Sequence, residues 1–348
     1  YKNLYPSDPG SEINRLVSFI DLAPTVLNLA NAKIPSTMQG KAFLGNELNP
    51  ESEHVHIARG RMDERYDMQR GVRTKDYKYL RYYEPSKPFI QFMNTPESGP
   101  LMTELRKAEK AGKLSPEAKQ LVEPIKPKES LFDLNIDPFE FNDLAKNPDY
   151  KDKLDELREV HNQWMEKVLD VGLIPEAIIR DWEKSKNKPI YKILREDSSF
   201  YNELLIISSS NEEKVLLDGL NNPNEAVRYR AAIGLYNMDR KMSNETISVL
   251  QEKLESDKII NVALAATRAL LKNGFKNESI IEKVAEGLDN DNEWTRLQSA
   301  LIIDDFSFAV RNLEKKSKEM IKNDPNKYVV RVLNHALNIY NGTDNRVR

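Results

Sequence analysis

The chain has 348 residues, of which 39% are hydrophobic, enough for two ordinary domains that each bury a core. Charged residues make up 31% but nearly balance, and a formal net charge of -3 gives no field that would draw nucleic acid or an anionic membrane. Without cysteine, these residues hold no disulfide, thiolate metal site or cysteine nucleophile, and no apolar run approaches the roughly 18 to 20 residues of a membrane span.

The first predicted element is a helix in NRLVSFIDLAPTVLNLANAKIP. Asp21 can cap this helix, Pro24 is tolerated in its first turn, and Pro35 ends it. One apolar stripe is expected along it, formed by Leu22, Val26, Leu29 and Ala30.

Residues 54 to 83 change to short β-type runs: HVHIARGR, QRGVRT and, after a turn at residues 74–76, YKYLRYYE. The last two predict a hairpin. A loop-rich stretch follows over residues 85–127, and ESLFDL adds a fourth short strand. We therefore expect a small antiparallel sheet, with an amphipathic helix over residues 148–171 packed across it.

The C-terminal part repeats itself with a period of 34 residues. The small pair Ala231-Ala232 recurs at Ala265-Ala266 and at Ser299-Ala300, and a looser fourth copy runs from residue 320 to 340. Self-similarity at this period indicates stacked pairs of helices, and small residues allow close helix approach. The marks of tetratricopeptide repeats are absent, so the pattern favours HEAT-type repeats, with a compact bundle of coincidental spacing as the alternative.

Neither a nucleophile motif nor a metal site is predicted. The segment Ser7-Asp8-Pro9 begins like a nucleophile motif of the form Cys/Ser-x-Pro-x-Arg, but it has no Arg two residues beyond its proline. The run DNDNE at residues 289–293 lacks the Gly and distal Glu of a calcium loop and is expected to be a solvated turn. His54 and His56 share one strand face without a third ligand, which favours a packing role.

The densest set of charges lies in ARGRMDERYDMQRGVR, between two predicted strands. Arginine forks bind sulfate or carboxylate, and acidic side chains can accept hydrogen bonds from sugar hydroxyls, so this mixture suits an anionic sugar. An internally paired, exposed salt-bridge loop is the alternative. The residues are Arg59, Arg61, Asp63, Glu64, Arg65, Asp67, Arg70 and Arg73.

Two stretches carry a family resemblance. RLVSFIDLAPTVLNLANAKIPSTMQGKAF resembles a late segment of type I, formylglycine-dependent sulfatases, and QRGVRTKDYKYLRYYEP with ESLFDLNIDPFEFNDLAKNP resembles their C-terminal subdomain. The resemblance covers about residues 1–182 and is closest to the branch of N-sulfoglucosamine sulfohydrolases and bacterial polysaccharide sulfatases. Matching positions in the first stretch are Asp21, Pro24, Thr25, Pro35 and Gly40.

This resemblance implies the end of an alkaline-phosphatase-like α/β domain (residues 1–50) and an antiparallel-sheet subdomain with a packing helix (51–182). A connector (183–207) and a HEAT-like domain (208–348) are expected to follow. The family's nucleophile, formylglycine and calcium ligands would precede Tyr1, so we assign no catalytic or metal-binding residue and expect this chain alone to be inactive.

The resemblance also implies a hydrolase of sulfuric esters or sulfamates that acts on a sulfated polysaccharide in the periplasm or outside the cell. Its sheet subdomain would contact the sugar through Arg61, Asp63, Glu64 and Asp67. Two alternatives stay open: a helical-repeat scaffold that binds a protein partner, and a phosphatase or phosphodiesterase of the same superfamily.

Overall fold

A computed structural model of the chain describes residues 10, 12, 14–307 and 309–344. The segment Ser7-Asp8-Pro9 lies outside these described residues. None of the described helices has the length and apolar character that a bilayer span requires.

Four strands and sixteen α-helices make up the described structure. The strands are β1 (Val55–Met62), β2 (Arg65–Arg73), β3 (Tyr77–Tyr82) and β4 (Glu129–Asp133). The helices that precede the repeats are α1 (Leu22–Leu29), α2 (Asn94–Glu97), α3 (Pro100–Lys110), α4 (Pro116–Val122), α5 (Lys151–Val168), α6 (Glu176–Lys186), α7 (Ile190–Glu196) and α8 (Tyr201–Ser209). The repeat helices are α9 (Glu213–Gly219), α10 (Glu225–Tyr236), α11 (Asn244–Ser256), α12 (Ile260–Lys272), α13 (Glu278–Leu288), α14 (Glu293–Asp305), α15 (Glu314–Asn323) and α16 (Lys327–Asn341).

Contacts divide the chain into two compact units. Unit 1 contains Tyr1–Arg59, Gln69–Tyr82 and Pro127–Gln163, and unit 2 contains Gly60–Met68, Tyr83–Lys126 and Trp164–Arg348. The units do not coincide with the sequential domains expected from the sequence, because three stretches of the expected sheet subdomain, 60–68, 83–126 and 164–182, group with the helical repeats.

The predicted antiparallel sheet is present, with strand order β1-β2-β3-β4. Within unit 1, β2 pairs with β3 in a register that places Gly71 opposite Leu80, and β3 pairs with β4 so that Tyr79 faces Leu131. Leu154 and Leu157 of α5 pack on this sheet around the buried Tyr79 and Leu131. The spacing of apolar residues in α5 therefore predicted both the helix and its buried face.

Asp21 does not cap α1 with its side chain, contrary to the expectation. Its carboxylate instead accepts backbone N–H bonds from Ser18 (2.8 Å) and Lys41 (2.7 Å). A side chain at Gly40 would place its Cβ 1.9 Å from the carbonyl oxygen of Ile20, so only glycine fits at this approach. These residues of the sulfatase-like pattern thus hold the segment after α1 against the start of that helix.

The predicted apolar stripe on α1 faces solvent among the described residues. Leu22, Val26 and Leu29 are 44%, 63% and 39% exposed, whereas the opposite side of the helix buries Thr25 and Asn28. Thr25 and Asn28 bind the backbone of residues 43–47, which determines the side that α1 turns inward.

The expectation of a loop-rich stretch over residues 85–127 is wrong, because α2, α3 and α4 lie there. Proline occupies the first position of both α3 and α4, where its missing N–H has no helical partner to lose. Pro100 and Pro116 are therefore helix starts, although they were interpreted as loop residues.

Four helical pairs form the repeat region of unit 2, from α9 and α10 to α15 and α16, as the period predicted. The second helices of successive pairs contact one another in the order α10, α12, α14 and α16. The small residues of the repeat are fully buried at these contacts: Ala231, Ala232, Ala265, Ala266, Ser299 and Ala300. The predicted fold class, a small antiparallel sheet with its helix followed by HEAT-like repeats, is confirmed.

Candidate functional site

The charged loop singled out in the sequence is the tip of the β1-β2 hairpin, residues 60–68, which we call the hairpin tip. All of it belongs to unit 2. Asp63 at the turn has φ 45°, the left-handed region that Asp tolerates better than most side chains.

Arg61 is held by residues from later in the chain. Its Nε lies 2.5 Å from Glu176 Oε2, and its guanidinium stacks 4.3 Å from the centroid of the Trp294 ring. The Tyr66 hydroxyl donates to the same Glu176 oxygen at 2.7 Å, and burial together with Glu176 raises the pKa of Tyr66. The guanidinium side chain keeps 18% exposure, so the residue is partly accessible.

The two acidic residues of the turn, Asp63 and Glu64, also accept hydrogen bonds from later parts of the chain. The Tyr328 hydroxyl donates to Asp63 Oδ1 at 3.3 Å. Glu64 accepts the backbone N–H of Asn94 at 2.6 Å, and its second oxygen lies 3.5 Å from Arg331 Nη1. Glu64 is only 1% exposed, whereas Asp63 is partly exposed.

Asp67 forms an ion pair with Lys126, and both side chains are completely buried. A buried pair of this kind is worth little on its own, but removal of one partner leaves an uncompensated charge. Asp67 therefore cannot meet a ligand without opening this pair.

Two further carboxylates, Asp304 and Asp305, end helix α14 with side chains 6% and 16% exposed, and neither was identified from the sequence. Arg65 Nη1 lies 2.5 Å from Asp304 Oδ2, and His335 Nδ1 lies 2.5 Å from the other Asp304 oxygen. Burial alone would raise the pKa of Asp304, but Arg65 and His335 bring it below its ordinary value.

Asp305 pairs with two cations, Lys87 and Arg268, the latter at 2.7 Å. The sequence did hold one indication of this cluster, because Arg268 is a charged residue inside the apolar run ALAATRALLK of α12. An arginine on a buried helix face requires a partner, and the sequence alone could not say which.

The four predicted substrate-binding residues lie within seven residues of chain, 61–67, and each has partners inside unit 2. Arg61 and Asp63 retain some exposure, while Glu64 and Asp67 are buried. Their contact with a sugar stays a prediction, and the geometry favours the first two.

No group of three or more His, Asp or Glu side chains that could hold a metal ion occurs in the part of the chain that the structure describes. The DNDNE turn pairs with its surroundings: Asp289 bonds Lys316, and Arg296 donates to the carbonyl of Asp291 at 3.1 Å. His54 and His56 lie edge to face at 5.1 Å, and burial, with a smaller contribution from His54, lowers the pKa of His56 to about 4.

Comparison with known families gives two matches. Residues 4–124 match the C-terminal domain of N-sulphoglucosamine sulphohydrolase, and residues 213–303 match HEAT repeats. The predicted resemblance, a sulfatase C-terminal portion followed by HEAT-like repeats, is confirmed.

Two curated relatives agree with this assignment. Two ulvan-active sulfatases of Formosa agariphila are 39% identical over 53% of this chain and 29% identical over 47% of it. The chain covers 30% and 31% of their lengths, so it spans less than a third of the curated relatives that it matches. A solved 2-O GAG sulfatase is 21% identical over 46% of this chain and 27% of its own, with a TM-score of 0.32.

Proposed function

We propose that these residues form the C-terminal part of a hydrolase of sulfuric esters or sulfamates that acts on a sulfated polysaccharide. The observation that carries the proposal is the match of residues 4–124 to a sulfohydrolase C-terminal domain, supported by 39% identity to an ulvan-active sulfatase. The nucleophile, a formylglycine, and calcium would belong to polypeptide upstream of this chain.

The surface of unit 1 supports a place within a larger protein. Phe19 and Ile20 are 90% and 58% exposed and precede the exposed apolar stripe of α1. Adjacent exposed apolar side chains favour burial against another surface. In the proposed enzyme, the upstream α/β domain would cover them, and the protein would act in the periplasm or outside the cell.

Substrate binding would involve the hairpin tip, with Arg61 and Asp63 as direct contacts. A guanidinium can bind a sulfate or carboxylate through two parallel hydrogen bonds, and an aspartate can accept from sugar hydroxyls. Glu64 and Asp67 would then support the tip from inside, through the backbone of residue 94 and through Lys126.

Sulfate release by a longer protein tests the proposal. The protein is expressed with its upstream sequence, and free sulfate is measured from ulvan fragments, from another sulfated polysaccharide and from a small aryl sulfate. A phosphate monoester serves as the parallel substrate. We expect sulfate release by the longer protein and none by residues 1–348.

Phosphate release without sulfate release would replace the proposal with a phosphatase or phosphodiesterase. Sulfate release by residues 1–348 alone would show that the assignment of the chemistry to upstream sequence is wrong. Activity only on the aryl sulfate would contradict a polysaccharide substrate.

A further inference from the structure

A cavity of about 50 Å³ lies inside unit 2, lined entirely by residues of that unit. Its apolar wall includes Leu173 and Ile302, and its aromatic wall includes Trp294 and Tyr229. Four charged side chains also line it: Glu84, Lys87, Arg230 and Arg268. Apolar walls with a few convergent polar groups are typical of small-ligand sites.

The charges around this cavity leave an excess of positive charge. Lys87, Arg230 and Arg268 are cationic, and Glu84 is the one carboxylate among the lining residues. Asp305 pairs with both Lys87 and Arg268, so three cations meet two carboxylates. Burial, with the nearby Arg268, lowers the pKa of Lys87 to about 8, as expected where positive charge is crowded.

Arg230 is incompletely satisfied. It is 4% exposed, and its bonds to Glu84 (3.4 Å) and to the carbonyl of Tyr83 (3.3 Å) are both long. Its Nε has no hydrogen-bond partner among the described residues, and the same holds for Nε of Arg268. Buried donors of charged groups are rarely left without an acceptor, so the long bonds of Arg230 and the two buried Nε groups indicate that Glu84 and Asp305 do not fully satisfy the three cations of this cavity.

We propose that this cavity binds a single oxyanion group, a sulfate or a carboxylate, either as a free anion or as the substituent of a small sugar. Both groups offer several acceptor oxygens to arginine N–H donors and match the excess positive charge. The volume holds one such group but not a saccharide chain. The proposal does not depend on the proposed hydrolase function, because it rests only on residues of unit 2.

Isothermal titration of the 348-residue chain tests this site. The probes are sodium sulfate, sodium acetate, glucose 6-sulfate and unsubstituted glucose, with ionic strength matched by sodium chloride. We expect saturable binding of at least one oxyanion at one site and none of glucose. Binding of glucose 6-sulfate but not of inorganic sulfate would identify the sugar as the source, and the reverse would identify a free anion.

Three variants locate the site. Arg230→Lys keeps the charge but removes the planar fork of the guanidinium, and it should weaken binding about tenfold, the effect of losing one hydrogen bond to a charged group. Glu84→Gln removes the opposing carboxylate and should tighten binding severalfold, a direction that misfolding cannot produce. Arg228→Lys is the matched control: it lies on the same helix and pairs with Asp257 at 2.8 Å, and it is not part of the cavity lining.

Absence of saturable oxyanion binding to the folded wild-type chain would overturn the proposal and would mean that water alone satisfies the arginine donors. Equal affinities in the wild type and in the Arg230→Lys and Glu84→Gln variants would overturn it as well, by placing the anion elsewhere.

Discussion

The ion pair between Arg65 and Asp304 illustrates how a single residue can affect the stability of unit 2. Their side chains are 4% and 6% exposed, and Arg65 also donates to the carbonyl of Phe92 at 2.7 Å. Since His335 is the other partner of Asp304, removal of Arg65 leaves a buried carboxylate with half of its contacts.

Arg65→Met should therefore destabilise the protein by about 3–5 kcal/mol, the cost of breaking a buried ion pair from one side. The free energy of unfolding from urea titration measures it. Arg180→Met is the control, because Arg180 is 57% exposed and pairs with Glu183 on the surface of α6, where a loss of less than about 1 kcal/mol is expected. Similar losses of unfolding free energy in the two variants would show that burial of the Arg65–Asp304 pair does not increase its contribution to stability.

His56 predicts a pH dependence. Its pKa in the folded protein is about 4, against an ordinary value of 6.5, so the unfolded chain binds a proton more readily between these values. Stability from this group is complete above pH 6.5 and falls as the pH drops toward 4. His56→Gln should reduce the loss of unfolding free energy between pH 7 and pH 5 by about 1 kcal/mol, a value discounted for solvent screening. An unchanged pH profile of denaturant midpoints would be evidence against this shift.

Arg61 and Asp63 yield a prediction for activity. In the longer enzyme, Arg61→Ala or Asp63→Ala should lower the turnover of sulfated polysaccharide about tenfold and leave a small aryl sulfate nearly unaffected, because only the larger substrate would reach the hairpin tip. Asp67→Asn is the comparison: it leaves Lys126 with a neutral partner, so it should lower thermal stability and affect both substrates alike. A loss that is equal for both substrates in Arg61→Ala and Asp63→Ala would exclude a glycan contact.

At the scale of elements, close helix approach defines the repeats. A Cβ added at Gly287 of α13 would lie 2.0 Å from Ser299 Oγ on α14 and 3.0 Å from Leu264 Cδ1 on α12. The Ser299 hydroxyl is buried and has no partner among the described residues. The hydroxyl thus occupies the space that a larger residue would need.

Gly287→Ala should destabilise the protein by about 1–3 kcal/mol, although alanine usually stabilises a helix relative to glycine. Adding Ser299→Ala should recover most of that loss by removing the clashing oxygen. A double-mutant cycle in urea measures the coupling of the two sites. Additive effects in the cycle would show that the two helices are not in tight contact here.

Periodic elements were predictable from the sequence, and their partners were not. The hairpin around residues 74–76, helix α5 and the repeats follow from local patterns of period 2, 3.6 and 34. Helices α3 and α4 each begin with a proline, which follows the N-cap residues Gly99 and Ser115. Proline at the first position indicates a helix start, but the many prolines of this stretch led to the prediction of a loop. The hairpin tip was identified as a charged site, but its partners Glu176, Trp294 and Tyr328 are distant in sequence and leave no local trace.

At the scale of the whole molecule, two stretches from the first half of the chain belong to the same compact unit as the repeats. Residues 60–68 and 83–126 belong to the same unit as the repeats, and the pairs Arg65–Asp304, Lys87–Asp305 and Glu84–Arg230 all lie within it. A cut after Ile207 would place the two partners of each pair on different fragments.

Fragments 1–207 and 208–348 should therefore each be unstable alone, because the loss of three buried pairs, about 3–5 kcal/mol each, is comparable to the roughly 5–15 kcal/mol that typically stabilises a protein. Co-expressed, the fragments should co-purify as one soluble complex. Size-exclusion chromatography and circular dichroism provide the measurement, with the uncut chain as control. A fragment 1–207 that is monomeric and unfolds cooperatively would favour an independent repeat module.

The long separations inside unit 2 also affect how the protein can be made. Arg65 is 239 residues from Asp304 and 270 residues from His335. At a synthesis rate of about 5–20 residues per second, on the order of ten to fifty seconds pass between synthesis of the hairpin tip and synthesis of its last partners. Contacts of such high sequence separation also form slowly once the chain is complete. We therefore expect folding of this unit to be complete only after the last repeat has been synthesised.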